Sequence, residues 1–273
     1  MTDNPLGKHT LYPASYDPGL LFPIARLQNR EKLGLAPQNV PFRGYDSWRA
    51  YELSWLDERG KPVVATGEFI VPSNSTFLTE SKSLKLYLNS LNQMRFLNVD
   101  EVQQTISRDL SNATQSPVIV YLYTVDDERN LSISKPSGEC LDQLDVAIDC
   151  YLPDPKFLSV EASVQVTETL YSNLFRSNCP VTSQPDWGTV VISYAGAAID
   201  RAGLLRYLIS FRAHEGFHED CAERIFTDIL RYAVPRSLSV SMNFLRRGGL
   251  EINPVRTNAP LDVDFPGPRY VRQ

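Results

Sequence analysis

Two stretches of the chain, 120 residues apart, carry the same pattern. ESKSLKLYLNSL begins at Glu80 and DRAGLLRYLISF begins at Asp200, and their flanks agree as well: GEFIV and GTVVIS precede them, whereas VIVYLY and SVSMNFL follow. Four aligned positions are identical: Leu84 with Leu204, Tyr87 with Tyr207, Leu88 with Leu208, and Ser90 with Ser210. Self-similarity at a fixed spacing is typical of a repeated structural unit. We therefore predict one unit built twice, as strands, two helices and a strand.

The repeat predicts two helices in each half. LKLYL by itself alternates as a strand would, but Leu204, Leu208 and Phe211 are spaced at i, i+4 and i+7, and the first copy has the same spacing. Asn98 can cap the second helix of the first half, with Glu101 at the third position. The apolar faces of the second helices are formed by Val102, Ile106 and Leu110 and by Phe217, Cys221, Ile225 and Ile229, before Pro235 ends the later run.

Two further segments alternate between apolar and polar residues: SVEASVQV from Ser159 to Val166, and LSVSMNF from Leu238 to Phe244. Such alternation is typical of half-buried strands. The pattern favours an α+β fold with a mostly antiparallel sheet and paired helices, because it lacks the regular strand-helix alternation of a doubly wound fold. The sequence also has no GxGxxG motif, so it does not support a Rossmann cofactor site.

Composition narrows the class of protein. With 42% hydrophobic and 22% charged residues the chain should be globular, and its net charge of -5 gives no general attraction for nucleic acid or an anionic membrane. No apolar run approaches the roughly 20 residues of a membrane span, and the first residues lack a secretory signal pattern, so we expect a cytoplasmic protein. Four sparse cysteines without a CxxC pair should be free thiols.

Two of the cysteines lie in contrasting settings. Cys221 belongs to an apolar helical stripe, where a cysteine usually acts as a small core residue. Cys179 lies in NCPV, between turn-forming residues, which leaves a functional and a structural thiol equally open. A catalytic thiolate needs a lowered pKa and a nearby acid or base. Asp186, seven residues on, can share a pocket with Cys179 if the loop folds back, or it can cap a turn before Trp187.

The segment HEGFHED, which starts at His214, contains the H-E-x-x-H pattern of zinc peptidases. In that class two imidazoles one helical turn apart bind Zn²⁺, and Glu215 would serve as the base. Gly216, however, lies at the predicted junction between two helices, so the imidazoles need not share a face. We favour a chance match, in which His218 and Glu219 are polar residues at a helix N-terminus, where the dipole stabilises an acidic side chain.

The first half holds a polar set that the second half has lost. TESKSLK starts at Thr79 and offers the Glu80 carboxylate, a capping hydroxyl on Ser81 and two lysines at one helix entrance. Such an entrance can hold an anion or a polar heterocycle. Lys82 or Lys85 so early in a helix opposes its dipole unless an anion pairs with it. Since the first half in turn lacks the His-Glu pair, the simplest interpretation is one composite site per chain.

Several motifs, in this order, resemble the 7-cyano-7-deazaguanine reductases, the NADPH-dependent nitrile reductases of queuosine biosynthesis, in their long two-module form. They are ESKSLKLY from Glu80, SNCPVTSQPDWG from Ser177, the His-Glu pair at His218, and the basic glycine turn RRGG from Arg246. The resemblance covers both halves, from about residue 40 to the C-terminus.

The resemblance implies a fold and an assembly. The family has the tunnelling fold of GTP cyclohydrolase I, in which two helices pack on a four-stranded antiparallel sheet, and two such modules in tandem would explain the repeat. We expect an N-terminal arm (1–35), a module with the ESKSLKLY motif (36–155) and a module with the nucleophile and the His-Glu pair (156–273). The resemblance further implies a homodimer that binds a small molecule, with no metal and no nucleic acid or membrane partner.

The resemblance also implies residue roles. Cys179 would add to the nitrile carbon to give a covalent thioimide, and Asp186 would supply the proton to nitrogen. Two NADPH per turnover would reduce first this adduct and then the released imine to the aminomethyl product. The substrate would be bound by Thr79, Glu80, Ser81, His218 and Glu219, the carboxylates accepting hydrogen bonds from the deazaguanine. NADPH would be held by Ser81, Lys82, Arg247 and Gly248, with Arg247 acting in its own or in the neighbouring subunit.

The sequence alone leaves two other functions open. A zinc peptidase built on HEGFH predicts stoichiometric zinc and chelator-sensitive hydrolysis. A non-catalytic module for a purine-type ligand or RNA predicts binding that Cys179→Ala does not affect, without NADPH consumption. The acidic net charge and the complete nucleophile loop make this last function the least favoured.

Overall fold

The computed structural model describes residues 13, 15–36, 38–128, 132–261 and 267–273. The strands of this part of the chain are β1 (Pro23–Ala25), β2 (Arg43–Leu56), β3 (Pro62–Pro72), β4 (Phe77–Thr79), β5 (Ile119–Tyr123), β6 (Glu139–Cys140), β7 (Val160–Asn178), β8 (Pro185–Ile199), β9 (Ser237–Phe244) and β10 (Leu250–Thr257). Its helices are α1 (Leu27–Lys32), α2 (Ser81–Ser90), α3 (Val99–Thr114), α4 (Arg201–Ser210) and α5 (His218–Tyr232). Short 3₁₀ turns lie at Pro18–Leu20, Pro155–Phe157 and Phe211–Ala213.

One eight-stranded sheet runs through both halves in the order β5-β3-β2-β10-β9-β8-β7-β6. All neighbours are antiparallel except β6 and β7. The halves meet where β10 pairs with β2, from Leu250 opposite Ala50 to Thr257 opposite Arg43. Among the described residues the first half contributes three long strands, β2, β3 and β5, and the second contributes four, β7 to β10. The predicted α+β class with a mainly antiparallel sheet is confirmed.

The two copies of the repeat form equivalent helices, as predicted. Both α2 and α4 follow an acidic N-cap, because the Glu80 carboxylate accepts from the amides of Lys82 and Ser83, and the Asp200 carboxylate accepts from the two counterpart amides. The prediction that Ser81 caps α2 is therefore wrong. Glu80 has the extended backbone of a cap residue, and its longer side chain reaches both amides, whereas Ser81 is already helical.

The second helices also follow the predicted pattern. The Asn98 side chain accepts from the Glu101 amide at 3.0 Å, and the Glu101 carboxylate accepts from the Leu97 amide at 2.8 Å, which forms a reciprocal cap. Helix α5 buries the stripe that contains Cys221 and ends before Pro235. The core role predicted for Cys221 agrees with its complete burial.

Each half has its own apolar core on the helices. In the first half, Trp48 and Phe69 of the sheet pack in one cluster with Leu84 of α2 and Ile106 of α3. The second cluster joins strands β7, β8 and β9 to helices α4 and α5. Because β10 residues Leu250 and Ile252 belong to the first cluster, the core crosses the junction between the halves. This places the sheet ends near the junction in a fixed position relative to both helix pairs.

One strand prediction holds and one needs correction. The segment within β9 alternates between buried and half-buried residues, as predicted. Residues 159–166, predicted to form a half-buried strand, enter β7 but are mostly exposed. The register shifts between Glu161 and Gln165, and these residues pair only with the end of β8, so only Val160 and Val166 are half-buried against the second core.

The described part of the N-terminal arm is ordered. Strand β1 pairs with β4, and α1 packs on α5. The first 12 residues, whose lack of a signal pattern supported a cytoplasmic prediction, lie outside the described residues. All four cysteines are free thiols, as predicted. Among the described residues, no helix combines the length and apolarity needed to cross a membrane.

Candidate active site

The β7–β8 hairpin places Cys179 and Asp186 beside each other at the end of the sheet. Ser177 of β7 lies opposite Asp186 of β8 in the strand register, and Cys179 begins the connecting turn. The turn is closed by two backbone hydrogen bonds, from the Cys179 amide to the Gln184 carbonyl at 2.8 Å and from the Ser183 amide to the Cys179 carbonyl at 2.9 Å. The loop folds back, as the sequence required for a shared pocket.

The HEGFHE segment packs along this turn. The Asn178 amide donates to the His214 carbonyl at 2.8 Å, and the Gly216 amide donates to the Asn178 carbonyl at 3.1 Å. A Cβ on Gly216 would lie 2.9 Å from Nε2 of His214, so glycine at this position leaves room for the His214 ring. Helix α5 then starts at His218, so its first residues face the cysteine turn.

A pocket with a cavity volume of about 30 Å³, open to solvent, lies between the two halves. Eight of the ten predicted site residues line it: Thr79, Glu80, Ser81, Cys179, Asp186, His218, Glu219 and Arg247. The remaining walls include the apolar side chains of Trp48, Leu78, Phe217 and Ile252. The composite site predicted from the repeat is therefore assembled, with contributions from both halves.

Burial and nearby hydrogen-bond donors act in opposite directions on the pKa of the Cys179 thiol. Its side chain is almost buried, and burial by itself raises the pKa of a thiol. Hydrogen bonds from the Thr182 side chain and from the amides of Val181 and Thr182 oppose that effect, and Arg247 adds a further one. Together they outweigh burial, so the pKa of Cys179 lies below its ordinary value. A lowered pKa favours the nucleophilic thiolate.

Asp186 is contacted on both carboxylate oxygens. Arg247 lies 3.2 Å from Oδ1, and Nε2 of His218 lies 3.4 Å from Oδ2. The His218 ring is itself stacked on Phe244, with ring centroids 3.8 Å apart. The carboxylate is therefore held from both sides in the pocket wall that it shares with Cys179.

Three polar atoms in the pocket wall are buried without a hydrogen-bond partner among the described residues: Thr79 Oγ1, His218 Nδ1 and Glu219 Oε1. Burial raises the pKa of Glu219 to about 8, and the nearby Asp46 carboxylate adds to the rise, whereas Arg26 opposes it. Unpaired buried polar groups cost free energy, which a bound ligand with matching groups can recover. The pocket is therefore suited to a flat polar molecule that fills it.

Two predicted residues lie outside the pocket wall. Lys82 is exposed on the first turn of α2, and within the described residues no carboxylate lies within ion-pair distance of it. Gly248 lies in the β9–β10 turn, where its carbonyl accepts from Lys85 Nζ at 2.6 Å. Lys85 also pairs with Glu52 at 2.9 Å, which supplies the anionic partner that a lysine early in α2 was expected to need.

The two histidines of HEGFH do not lie on one helix. His214 follows a 3₁₀ turn in extended conformation, whereas His218 is the first residue of α5. His214 instead lines a neighbouring cavity together with Asp220, and burial lowers the pKa of His214 to about 4. Among the described residues, no group of three or more His, Cys, Asp or Glu side chains could hold a metal ion.

A buried ion cluster beneath Glu219 was not predicted. Arg256, which is fully buried, pairs with Asp46 at 2.7 Å and with Glu223 at 3.0 Å. From the N-terminal arm, Arg26 pairs with the same Asp46, and Arg30 pairs with Glu223 at 2.7 Å. The sequence signal is an arginine inside the otherwise uncharged strand segment INPVRT, but its partners come from distant elements and could not be read from it.

The site can support covalent catalysis by a cysteine with an adjacent acid. Residues 12–122 match the family described as "Nitrile reductase, 7-cyano-7-deazaguanine-reductase N-term", and residues 185–261 match "QueF-like protein". A protein of Aromatoleum aromaticum is 54% identical over 255 residues, which covers 93% of this chain and 90% of that protein. One of Dechloromonas aromatica is 52% identical over 270 residues, covering 99% and 94%.

Both relatives are named NADPH-dependent 7-cyano-7-deazaguanine reductase. The apo crystal structure of the archaeosine synthase QueF-Like aligns with 36% of this chain and 95% of that chain, at 20% identity and a TM-score of 0.31. The chain belongs to the 7-cyano-7-deazaguanine reductase family, as its motifs predicted.

Proposed function

We propose that this protein reduces the nitrile of 7-cyano-7-deazaguanine to the aminomethyl group, with NADPH as the reductant, in queuosine biosynthesis. The observation that carries the proposal is Cys179, a thiol of lowered pKa that lines one pocket together with Asp186 and three polar atoms that have no partner among the described residues. Close relatives carry this activity in their names.

Cys179 is the nucleophile. Its sulfur forms a bond to the nitrile carbon as one C–N π bond breaks, and Asp186 delivers a proton to nitrogen, which gives a thioimide. NADPH supplies a hydride to the thioimide carbon. Expulsion of the thiolate leaves an imine, which a second hydride and a proton convert to the amine. A nitrile accepts hydride poorly, so covalent attachment replaces one difficult step by several easier ones.

The unpaired groups of the pocket recognise the heterocycle. Glu219 and Glu80 accept hydrogen bonds from its N–H and NH2 groups, and Thr79 and Ser81 offer hydroxyls at the same edge. In the ligand-free protein Glu80 caps α2, so its carboxylate serves the helix amides until a substrate competes for it. His218 lies beside Asp186 and therefore next to the reacting carbon.

The NADPH phosphates fit the exposed rim of the pocket. Lys82 offers an ammonium group at the entrance to α2, next to Ser81, and the Gly248 turn offers backbone amides. Arg247 is half-exposed and within reach of the same rim. These residues orient the hydride donor toward the carbon attached to Cys179.

We further propose that the two halves are tandem tunnelling-fold modules, residues 36–155 and 156–273, preceded by an arm, and that the protein is a cytoplasmic homodimer. The equivalent helix pairs and their caps support the tandem arrangement. The acidic net charge supports a small-molecule substrate and no nucleic acid or membrane partner.

The test is the intact mass of the protein incubated with 7-cyano-7-deazaguanine, with and without NADPH. We expect an adduct of the nitrile's mass in the wild type, absent from Cys179→Ala, that disappears on NADPH addition as the amine appears. Cys140→Ser is the matched control, because Cys140 is a free thiol on the edge strand β6, opposite Tyr171, and does not line the pocket. NADPH-dependent amine formation by Cys179→Ala would contradict the covalent route.

A further inference from the structure

Arg247 begins a tight turn between β9 and β10. Its amide donates to the Leu250 carbonyl at 2.8 Å, and the two following residues, Gly248 and Gly249, have φ values of 61° and 78°. A Cβ on Gly249 would lie 2.6 Å from the Glu52 side chain, so this turn depends on glycine. Arg247 therefore begins a glycine-dependent turn beside the pocket.

The guanidinium of Arg247 reaches two reacting groups of its own chain. It lies 3.2 Å from Asp186 Oδ1, and it lines the same pocket wall as the Cys179 thiol, whose pKa it helps to lower. Its side chain is 42% exposed whereas that of Asp186 is 8% exposed, so the cation reaches inward from the rim to a nearly buried anion.

The contact between Arg247 and Asp186 matters because of the other charged groups in the pocket wall. Three carboxylates line the wall, from Glu80, Asp186 and Glu219, together with the thiol of Cys179. Within the described lining, Arg247 is the only permanently charged cation, because His218 is charged only when it is protonated. A thiolate and a carboxylate side by side repel each other unless a cation is shared between them.

We propose that Arg247 is a catalytic residue of its own subunit, the common counter-ion for one negative charge that passes between Cys179 and Asp186. This rests on the proposed function and extends it. Before attack, the charge lies on Asp186 and the proton on sulfur. The proton moves to the Asp186 carboxylate as the thiolate forms, and it passes to the nitrile nitrogen as the carbon–sulfur bond forms. Arg247, which pairs with Asp186 and shares the pocket wall with Cys179, stabilises the negative charge in each state.

The family resemblance gives Arg247 a different task, the binding of NADPH phosphates. The two roles separate in the absence of NADPH, because only a counter-ion changes the ionisation of the free enzyme. The other groups that face the thiol are the Thr182 hydroxyl from its own turn, His218 and Glu219 from α5, and Glu80 from the entrance to α2. All of them are retained when Arg247 alone is replaced.

The experiment is alkylation of full-length protein by iodoacetamide between pH 5 and pH 10, without nitrile or NADPH, with Cys179 labelling followed by peptide mass. We expect Arg247→Gln to raise the midpoint by about one pH unit and to slow labelling at neutral pH about tenfold. Arg247→Lys, which keeps a cation, should lie between the glutamine variant and the wild type. If the glutamine variant does not fold, the lysine variant carries the test.

Arg246→Gln is the matched control. It removes the same charge from the neighbouring position, but the Arg246 guanidinium lies over the Tyr51 ring at 4.8 Å, so its labelling midpoint should equal that of the wild type. An Arg247→Gln profile that superimposes on the wild type, with only a raised KM for NADPH, would overturn the proposal. If the Arg247→Gln labelling profile is shifted but the wild type never forms the nitrile adduct, the counter-ion role of Arg247 is upheld and the proposed nitrile chemistry is rejected.

Discussion

The two halves of the chain build the same helix pair but begin its second helix differently. In the first half α3 begins at Val99, which is 45% exposed, after an asparagine cap. In the second half α5 begins with His218 and Glu219, and the Glu219 side chain is 2% exposed. Phe217, at the capping position, makes no side-chain cap. The start of α3 is thus a solvated helix end, whereas the start of α5 forms part of the pocket wall.

The two halves share the same hydrogen bonds within their helix pairs. Tyr87 donates to Asp109 at 2.7 Å and Tyr207 donates to Asp228 at 2.8 Å, each bond joining the two helices of its pair. In both copies the serine three residues after the tyrosine donates to the tyrosine carbonyl at 2.6 Å. Packing of the helix pairs therefore requires the same residues twice, whereas the chemistry requires one composite site. Duplicated positions indicate structure, and positions that differ between the copies indicate function.

The largest effect is expected at Glu219 and not at its counterpart. Glu219→Gln removes the carboxylate that we propose accepts from the substrate, so above pH 8, where Glu219 is ionised, kcat/KM should fall by about 30-fold to 1000-fold, the loss of a charge-assisted hydrogen bond worth about 2–4 kcal/mol. Val99→Gln places the same side chain at the counterpart position of the first half and should leave steady-state kinetics unchanged. Equal kinetics in the two variants would remove Glu219 from the binding site.

The stability of the protein should report the same carboxyl group. The pKa of Glu219 is raised from 4.5 to about 8, so between these values the folded state keeps a proton that the unfolded chain has lost. The contribution of this group to the free energy of unfolding therefore falls as the pH rises through that window, by up to about 1.4 kcal/mol per pH unit.

Urea unfolding from pH 5.5 to pH 8.5 measures this slope. It should become less steep in Glu219→Gln and stay unchanged in Val99→Gln. The slope that remains in the Glu219→Gln variant would come from groups such as Asp220, whose pKa burial raises to about 7. An identical pH profile in both variants would contradict the raised pKa.

The interhelical tyrosines should differ in their contribution to stability. Tyr207→Phe removes a buried donor to Asp228 and should lower the free energy of unfolding by about 1–3 kcal/mol. Tyr87→Phe should cost about half as much, because Asp109 keeps hydrogen bonds from Tyr16 at 2.6 Å and from Arg108 at 3.0 Å. Urea midpoints of the two variants provide the comparison, and equal losses would show that Tyr16 contributes nothing to this half.

The smallest effect is expected at the cap of α3. Asn98→Ala removes the hydrogen bond to the Glu101 amide and should lower the free energy of unfolding by about 1 kcal/mol. Because this helix end lies outside the pocket, turnover at 25 °C should match that of the wild type. A loss of activity without a loss of stability would mean that the first half contributes more to the site than its α2 entrance.

Much of the fold could be predicted because it depends on local patterns. The i, i+4, i+7 spacing around Tyr87 and Tyr207 identifies helices whatever they pack against, and the Asn98 cap needs only its own first turn. The strand at residues 159–166 shows the limit. Alternation predicts burial only if another element covers the strand, and within the described residues only Val160 and Val166 of this segment pack against the second core.

The candidate site could be predicted as a set of residues, because its motifs are short and come in a characteristic order. The geometry of these residues could not be predicted from the sequence. Glu80, not Ser81, caps α2, since the choice between neighbouring side chains depends on the backbone angles of one residue. Arg247 lies against Asp186 and the cysteine because of the turn that follows it.

The sequence by itself determined the repeat, the helices, the family and the identity of the candidate reactive cysteine, since all of these are local or are recorded in motifs. Tertiary structure alone decided how charge is distributed around that cysteine. Arg256 needs Asp46 and Glu223 to be buried, and Glu219 takes its raised pKa from burial and from the Asp46 carboxylate. Electrostatic interactions depend on distance through space and on exclusion of water, and neither quantity is a function of separation along the chain.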